Sequence, residues 1–383
     1  MTVSSWRWDV LVINSDLINY FFTQMGIGSL NKFLREMCPH VYQAVELKDF
    51  AFKKCAIDTS MYIYKYMAIF GPEEWMSAFI SLVVCLKENR IHPCFIFDNG
   101  CPQEKLVERA RRKEGRGKID DKVAKLETEI LDYYSTGTFS PFLEILYTQK
   151  CLEKDENPKR LLSTRKVPND DKIKKLEEEL ERLRKQSITV TEDDILKIKE
   201  FLNLVKIPYF DAELEAETTC VDLCKSGKVD FVISEDSDVF AYGCPLTVKD
   251  INTNDGKCVA IVYDDILSGL EMSEKTFLDF CIMCGCDYNS NIPLIGCKKA
   301  FSFMKEHKDI DSFISSGVCK KDHSVLKHVR VRELFTEYAK TTYDVPYSGL
   351  VDDFEPLTIF LFKKNIKYDI SKLIRVLSSR STN

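Results

Sequence analysis

Short apolar runs that are each followed by acidic residues form the most regular pattern along the chain. In segment 229–243, apolar residues up to Ile233 predict a buried strand, and Glu235, Asp236 and Asp238 follow it. Further apolar runs at 54–57, 94–97, 207–210 and 280–286 lead into Asp58, Asp98, Asp211 and Asp287. Because ligands of open α/β sheets collect at the carboxyl ends of the strands, we expect these acids to share one edge.

Crowded carboxylates need cations between them, since they otherwise repel one another and take up protons. Oxygen ligands select hard ions such as Mg²⁺ or Mn²⁺. Two such ions about 4 Å apart are the usual device for in-line hydrolysis of a phosphodiester. An acidic surface loop is the alternative for any single segment, but the recurrence favours a metal site.

The order of the predicted elements indicates the fold class. A strand at 54–57 precedes a helix that Thr59 or Ser60 could cap, a second helical stretch covers 73–89, and the next strand covers 93–98. Later segments predict a helix at 191–204 with a Thr191 and Asp194 capping box, a helix at 213–225, and a hairpin with its turn at 254–256. The pattern predicts an α/β fold with a mainly parallel, twisted sheet flanked by helices.

Positive charge is concentrated just after Asp98. Segment 103–118 predicts a strongly basic helix, in which Lys105 and Arg112 are seven residues apart, about 10.5 Å along one face. Such a face could hold the phosphates of a nucleic-acid strand, and a solvated helix is the alternative. The charged block 119–190 resembles an insertion, with a helix at 170–186 and a polar connection at 157–170.

Composition is that of a globular chain with a sizeable core, 45% hydrophobic and 30% charged. The net charge of −6 does not exclude binding to nucleic acid, because the distribution of charge matters more than its sum.

Fifteen cysteines without a regular spacing indicate reduced thiols in an intracellular protein. Core packing is the first interpretation of Cys281, Cys284, Cys286 and Cys297, and a structural zinc is the second. No uninterrupted apolar run reaches the ~18 residues of a membrane span, and no signal peptide is evident.

Seven segments resemble, in the same order, the sequence blocks of the flap endonuclease and XPG family of structure-specific 5′ nucleases. They are MGIGSLNKFL, AIDTSMYIY, FIFDNGCPQEK, IPYFDAELEAETTC, ISEDSDVFAYG, LDFCIMCGCDY and IPLIGCKKAF. The match runs from Met25 to about Leu373, and the block 119–190 matches poorly. Any one segment is a weak signal, whereas seven in order are highly specific.

The resemblance implies a PIN-like nuclease core, a helical arch insertion and a C-terminal helix–hairpin–helix region. Carried over by position, the metal-binding acids are Asp58, Asp98, Glu215, Glu217, Asp236, Asp238 and Asp287. Glu213 lies outside the family pattern. The implied cofactor is a pair of Mg²⁺ ions, with Mn²⁺ as a substitute, and Asp236 is expected to be essential for catalysis.

The resemblance also implies the contacts with DNA. Lys105 and Arg112 would contact the scissile phosphate as catalytic residues, with Arg116 nearby in sequence, and Tyr64 would stack on the terminal base at the cut. Tyr62 and Tyr66 are expected to pack in the core. Gly296, Lys298 and Lys299 match the helix–hairpin–helix, which grips duplex phosphates, often with a K⁺ ion. Here Leu294 replaces the first glycine of the hairpin, which weakens the expectation of K⁺.

Five regions follow from this alignment. They are an N-terminal extension at 1–24, an N-terminal nuclease region at 25–118, a charged helical arch or cap at 119–190, an internal nuclease region at 191–290, and a helix–hairpin–helix and C-terminal helical region at 291–383. Relatives of the flap type begin at the equivalent of Met25, close to the DNA, so we expect Met25 to be the physiological start. Intact mass of the protein from its natural host tests this expectation.

The resemblance implies a Mg²⁺-dependent nuclease that cuts DNA where a 5′ flap meets duplex, in replication, repair or recombination. A 5′–3′ exonuclease or a Holliday-junction resolvase of the same family is the nearest alternative, and a non-catalytic DNA-binding scaffold is the alternative of another class. The expected partner is branched or nicked double-stranded DNA, with no membrane and no recognisable sliding-clamp motif. A compact member of this kind fits a large DNA virus. We expect an intracellular protein, in the nucleus, or at a cytoplasmic replication site if the source is viral.

Overall fold

The computed structural model describes residues 26–154 and 167–378. The predicted extension at 1–24, and most of the polar connection at 157–170, lie outside the described residues. The described residues form two compact units: one comprises residues 26–108 and 190–378, and the other comprises residues 109–154 and 167–189.

A seven-stranded sheet is the centre of the first unit. Its strands are β1 Gln43–Glu46, β2 Lys54–Asp58, β3 His92–Phe97, β4 Tyr209–Asp211, β5 Phe231–Ile233, β6 Leu246–Lys249 and β7 Lys257–Val262. The spatial order is β1-β7-β6-β5-β2-β3-β4. Four of the six neighbouring pairs, from β6 to β4, are parallel, and β7 pairs antiparallel with both β6 and β1. The predicted α/β class with a mainly parallel sheet is confirmed.

Helices account for most of the remaining described residues. In chain order they are α1 Leu30–Met37, α2 Thr59–Glu88, α3 Leu106–Thr136, α4 Pro141–Lys154, α5 Asn169–Gln186, α6 Glu192–Leu204, α7 Ala216–Lys225, α8 Asp238–Ala241, α9 Tyr263–Leu270, α10 Glu274–Cys284, α11 Cys297–His307, α12 Ile310–Ser315, α13 His328–Thr336, α14 Glu355–Lys363 and α15 Ile370–Ser378. The capping box predicted for Thr191 and Asp194 is present at the start of α6.

Helix α2 joins the two predicted helical stretches at a kink. Gly71 has φ of +79° there and Pro72 follows it, which explains why the sequence divides the helix at this point. The expected caps Thr59 and Ser60 are wrong, because the side chain of Asp58 caps the helix by accepting from the Met61 N–H at 3.4 Å. Helix α2 is long and apolar enough to cross a membrane, but its side chains are largely buried, as in the core helix of a globular fold.

The second unit has a small core of its own. Helix α5 contributes Ile173, Leu176, Leu180 and Leu183 at helical spacing, and all four are buried. They pack with Leu126 of α3 and with apolar residues of α4. The periodicity of segment 170–186 therefore reflects a helix that is paired with others.

Helices α10 and α11 form the C-terminal hairpin of the first unit. The fully buried carboxylate of Asp279 receives two hydrogen bonds from Arg332, at 2.7 and 2.6 Å, which fasten α10 to α13.

The cysteines are free thiols, and Cys281, Cys284 and Cys297 are buried core residues. The burial of these three thiols agrees with the core interpretation, whereas Cys286 is half-buried.

Candidate metal centre

The predicted acids come together at the carboxyl edge of the parallel strands. Asp58 ends β2 and lies in register with Ile96 of β3, and Asp98 follows β3 directly. Oδ1 of Asp98 accepts from the backbone N–H of Ala216 at 2.8 Å, which fixes the start of α7 beside β3. The predicted start of that helix at 213 is wrong, because Glu215 is its N-cap and Glu217 lies in its first turn. One edge of the sheet therefore holds carboxylates from three chain segments.

Asp287 reaches the same place by another route. The apolar run before it belongs to helix α10 and the turn that follows, so no strand delivers this acid. Its Oδ2 lies 3.1 Å from Nζ of Lys105, which in turn lies 3.6 Å from Oε1 of Glu217 and forms an ion pair with Glu215. Lys105 thus joins acids from two parts of the chain that are separated in sequence.

Three of the acids are arranged as metal ligands. One carboxylate oxygen each from Glu217, Asp236 and Asp238 lies within 4.8 Å of the others. The backbone N–H of Asp238 donates to Oδ1 of Asp236 at 2.9 Å, which fixes the Asp236 side chain against the backbone that carries Asp238. Within residues 26–154 and 167–378, neither carboxylate oxygen of the fully buried Asp238 has a hydrogen-bond partner. A buried charge without a partner is costly, so these residues fit a divalent cation.

Electrostatics point in the same direction. Burial raises the pKa of Asp58, and the neighbouring charges of Asp98 and Asp236 raise it further. Burial also raises the pKa of Glu217 and of Asp238 above the usual carboxyl range. Burial alone would lower the pKa of Lys105, but the surrounding carboxylates outweigh it and raise that pKa. The site therefore carries an excess of negative charge, which the ammonium of Lys105 offsets in part.

Two buried tyrosines support Glu215, and the sequence analysis did not assign them. The hydroxyl of Tyr288 donates to Oε2 of Glu215 at 2.7 Å, and the hydroxyls of Tyr242 and Tyr288 lie 2.5 Å apart. Both side chains are about 2% exposed. Tyr288 directly follows Asp287 in sequence, which is the one signal that could have found it.

Gly26 is a further residue to which the sequence analysis gave no role. A Cβ at this position would lie 2.1 Å from Oδ1 of Asp236 and 2.6 Å from Oγ of Ser237. The N–H of Ile27 donates to the same Oγ at 3.0 Å. The described chain therefore begins in direct contact with the acidic loop, and only a glycine fits there.

Glu235 lies in the acidic run but faces another set of charges. Its buried carboxylate forms an ion pair with Lys65 of α2, and Nζ of Lys249 lies 3.8 Å away. Burial acts to raise the pKa of Glu235, but the two lysines prevail and hold it at about 2. Glu235 therefore fastens the acidic loop to α2, and it is not part of the cluster that Glu217, Asp236 and Asp238 form.

The residues expected to touch DNA are distributed over several elements. Tyr64 is half-buried on α2, whereas Tyr62 and Tyr66 are buried, as expected for packing residues. Gly296 is the N-cap of α11, and Nζ of Lys298 lies 2.7 Å from the Glu36 carboxylate. Lys299 is exposed in the first turn of α11. Arg112 and Arg116 lie on α3 within the second unit.

Comparisons with known proteins connect this geometry with one family. The XPG N-terminal domain profile matches residues 25–119, and the XPG I-region profile matches residues 206–287. A probable RAD2-like endonuclease of Invertebrate iridescent virus 6 is 31% identical over 90% of this chain and 90% of its own length. Another, from Invertebrate iridescent virus 3, is 33% identical over 81% of this chain and 85% of its own length.

A solved structure shares the fold. The catalytic core of Rad2 in complex with DNA substrate has a TM-score of 0.62 and 19% identity, covering 92% of this chain and 99% of that chain. The two profiles begin and end close to the segments that carry the acids, from Met25 through Asp287.

Proposed function

Because the chain belongs to the XPG family of structure-specific nucleases, we propose that it cuts DNA where a 5′ flap meets duplex. The observation that carries the proposal is the convergence of buried carboxylates around Lys105, with Asp238 left without a hydrogen-bond partner among the described residues. Its setting would be DNA replication, repair or recombination, in the nucleus or at a cytoplasmic replication site if the source is viral.

The proposed cofactor is a pair of Mg²⁺ ions, with Mn²⁺ as a substitute. The residues proposed to hold them are Asp58, Asp98, Glu215, Glu217, Asp236, Asp238 and Asp287. When bound, such ions supply activation of the attacking water and stabilisation of the leaving oxygen. An all-oxygen donor set of this charge supports a hard divalent ion over zinc or copper.

Lys105 is proposed to act on the scissile phosphate. Its side chain is only 14% exposed, and its ion pairs keep the ammonium charged and inside the acidic site. A preorganised cation facing a phosphate whose charge increases in the transition state contributes several kcal/mol, typically about 3. Arg112 is proposed to assist in the same role from α3, with Arg116 as a further phosphate contact.

Duplex and base contacts complete the proposal. Tyr64 would stack on the terminal base at the cut, which requires only an aromatic face and is therefore independent of sequence. Gly296, Lys298 and Lys299 would bind duplex phosphates at the start of α11, where backbone N–H groups point outward. Lys298 would exchange its exposed Glu36 partner for a phosphate, since a surface ion pair costs little to break.

A second branch of the family remains a competing proposal. A 5′–3′ exonuclease or a Holliday-junction resolvase would use the same acids with a differently shaped DNA. Against a non-catalytic scaffold stands the burial of five of the seven proposed metal ligands, because a scaffold has no need to bury carboxylates at one site. The five are Asp58, Glu215, Glu217, Asp238 and Asp287.

The test is cleavage of labelled DNA by purified protein, with Mg²⁺ and with EDTA. The substrates are a double flap, a nicked duplex, a blunt duplex and a four-way junction. A single product near the flap base that disappears in EDTA is expected. Symmetric junction nicks, or a ladder from the 5′ end, would move the protein to the resolvase or exonuclease branch, and inactivity on all four would favour a scaffold.

A further inference from the structure

The turn between α10 and α11 has its backbone carbonyls occupied by the chain's own donors. Nδ2 of Asn291 donates to the carbonyl of Ile295 at 2.9 Å. Nζ of Lys321, from the segment after α12, donates to the carbonyl of Pro293. The carbonyl of Ile292 accepts from the Ile295 N–H at 2.9 Å. The turn is therefore closed from inside by an amide and an ammonium.

Leu294 makes this closure necessary. It has φ of +67°, in the left-handed region that favours glycine, and its side chain is 80% exposed. Side-chain packing cannot offset the cost of this backbone conformation, because the leucine is exposed. Hydrogen bonds from the surrounding residues must therefore hold the backbone of Leu294. The two carbonyls on either side of Leu294, those of Pro293 and Ile295, are the ones that accept from Lys321 and Asn291.

The K⁺ ion that the family resemblance implies does not fit this turn. K⁺ binds through several oxygens, and here the carbonyls of Ile292, Pro293 and Ile295 already accept hydrogen bonds from protein donors. The charge of the Lys321 ammonium would also repel a cation beside the Pro293 carbonyl. The Lys321 ammonium thus supplies a fixed positive charge at the turn, where a bound K⁺ ion would otherwise be required.

We propose that this hairpin carries its own cation, so that Lys321 and Asn291 hold the turn for duplex phosphates and no bound K⁺ is needed. An ammonium has three donors, and one directed at the Pro293 carbonyl leaves the group able to meet a phosphate as well. Lys321 is then a positioning residue that also contributes to DNA binding. The inference rests on the proposed binding of duplex DNA by the helix–hairpin–helix.

The experiment is binding of a fluorescent blunt duplex, measured by anisotropy in EDTA so that cleavage plays no part. Wild type, Lys321→Met and the neighbouring control Lys320→Met are compared in KCl and in NaCl at equal ionic strength. Both lysines are exposed, so both variants should fold, and circular dichroism checks this. The wild type should have the same Kd in the two salts, within about twofold.

Lys321→Met should bind about threefold to fivefold more weakly than Lys320→Met in NaCl. Tighter binding of the wild type in KCl than in NaCl would overturn the proposal, because it would reveal a K⁺ site. Equal affinities of the two variants would also overturn it, since Lys321 would then be only one more surface charge. Absence of DNA binding by the wild type in either salt would instead contradict the proposed function itself.

Discussion

Replacement of Gly26 by alanine should damage the acidic site without unfolding the protein. The new Cβ would lie 2.1 Å from Oδ1 of Asp236, so the carboxylate must retreat by more than about 1 Å to reach ordinary contact. The change also places alanine at φ of +70°, which costs about 1–2 kcal/mol. A displacement of that size at a catalytic group lowers the rate by about 10²-fold.

Gly227→Ala is the matched control. Gly227 has φ of +71°, and a Cβ there would meet no atom within 4 Å, so this variant carries the backbone strain without the clash. Both variants should lose about 1–2 kcal/mol in the free energy of unfolding, measured by urea titration. Only Gly26→Ala should lose cleavage, measured under single-turnover conditions with a 5′-flap substrate. Equal cleavage by the two variants would refute the contact between Gly26 and Asp236.

Other consequences follow from the same contacts. Lys105→Met should slow cleavage by about 10²- to 10³-fold in a single-turnover assay, because it removes a cation from the reacting phosphate; wild-type rates would contradict its role. Tyr288→Phe should raise the Mg²⁺ concentration that gives half-maximal cleavage, because it removes the hydrogen bond to Glu215. Tyr242→Phe should raise it less, since the Tyr242 hydroxyl contacts Tyr288 and not Glu215. An unchanged Mg²⁺ dependence in both variants would show that the tyrosines only pack.

The raised carboxyl pKa values also set a dependence of stability on pH. The folded protein retains protons that the unfolded chain has lost, so in EDTA stability should rise as pH falls from 7 toward 5. Added Mg²⁺ should stabilise more at pH 7 than at pH 5, because ions and protons compete for the same oxygens. The midpoints of urea unfolding at pH 7 and pH 5, each in EDTA and in Mg²⁺, test this. A lower midpoint at pH 5 than at pH 7 in EDTA would contradict it. The carboxyls with raised pKa in this site are Asp58, Glu217 and Asp238.

Much of the fold could be predicted because local patterns and the tertiary structure agree. The apolar runs before Asp58, Asp98 and Asp236 form parallel strands, and because these strands run in the same direction their acids lie at one edge. Where two roles compete, local rules failed: Asp58 both ends a strand and caps α2, so Thr59 and Ser60 are not needed as caps. Residues that act through contacts distant in sequence have no local signal. The residues around Gly26 do not indicate that it lies against Asp236.

The acidic run at 234–238 shows the same limit within five residues. Residue type and periodicity do not distinguish Glu235 from Asp236 and Asp238, which only the family resemblance separates. In the structure Glu235 pairs with Lys65, whereas Asp236 and Asp238 form the acidic cluster with Glu217. The direction of each side chain depends on the bend after β5 and on lysines from other elements. Leu294 is the converse case, because an unfavourable local residue is tolerated where Asn291 and Lys321 hold its backbone.

The most direct test of the central claim compares wild type with Asp236→Ala on a labelled 5′-flap substrate in Mg²⁺. Single-turnover cleavage should fall by at least about 10³-fold, while binding of the same DNA in EDTA, measured by anisotropy, should stay within about twofold. This outcome would support the acidic cluster as the place where hydrolysis occurs. Appreciable cleavage by Asp236→Ala, with DNA binding intact, would contradict the account.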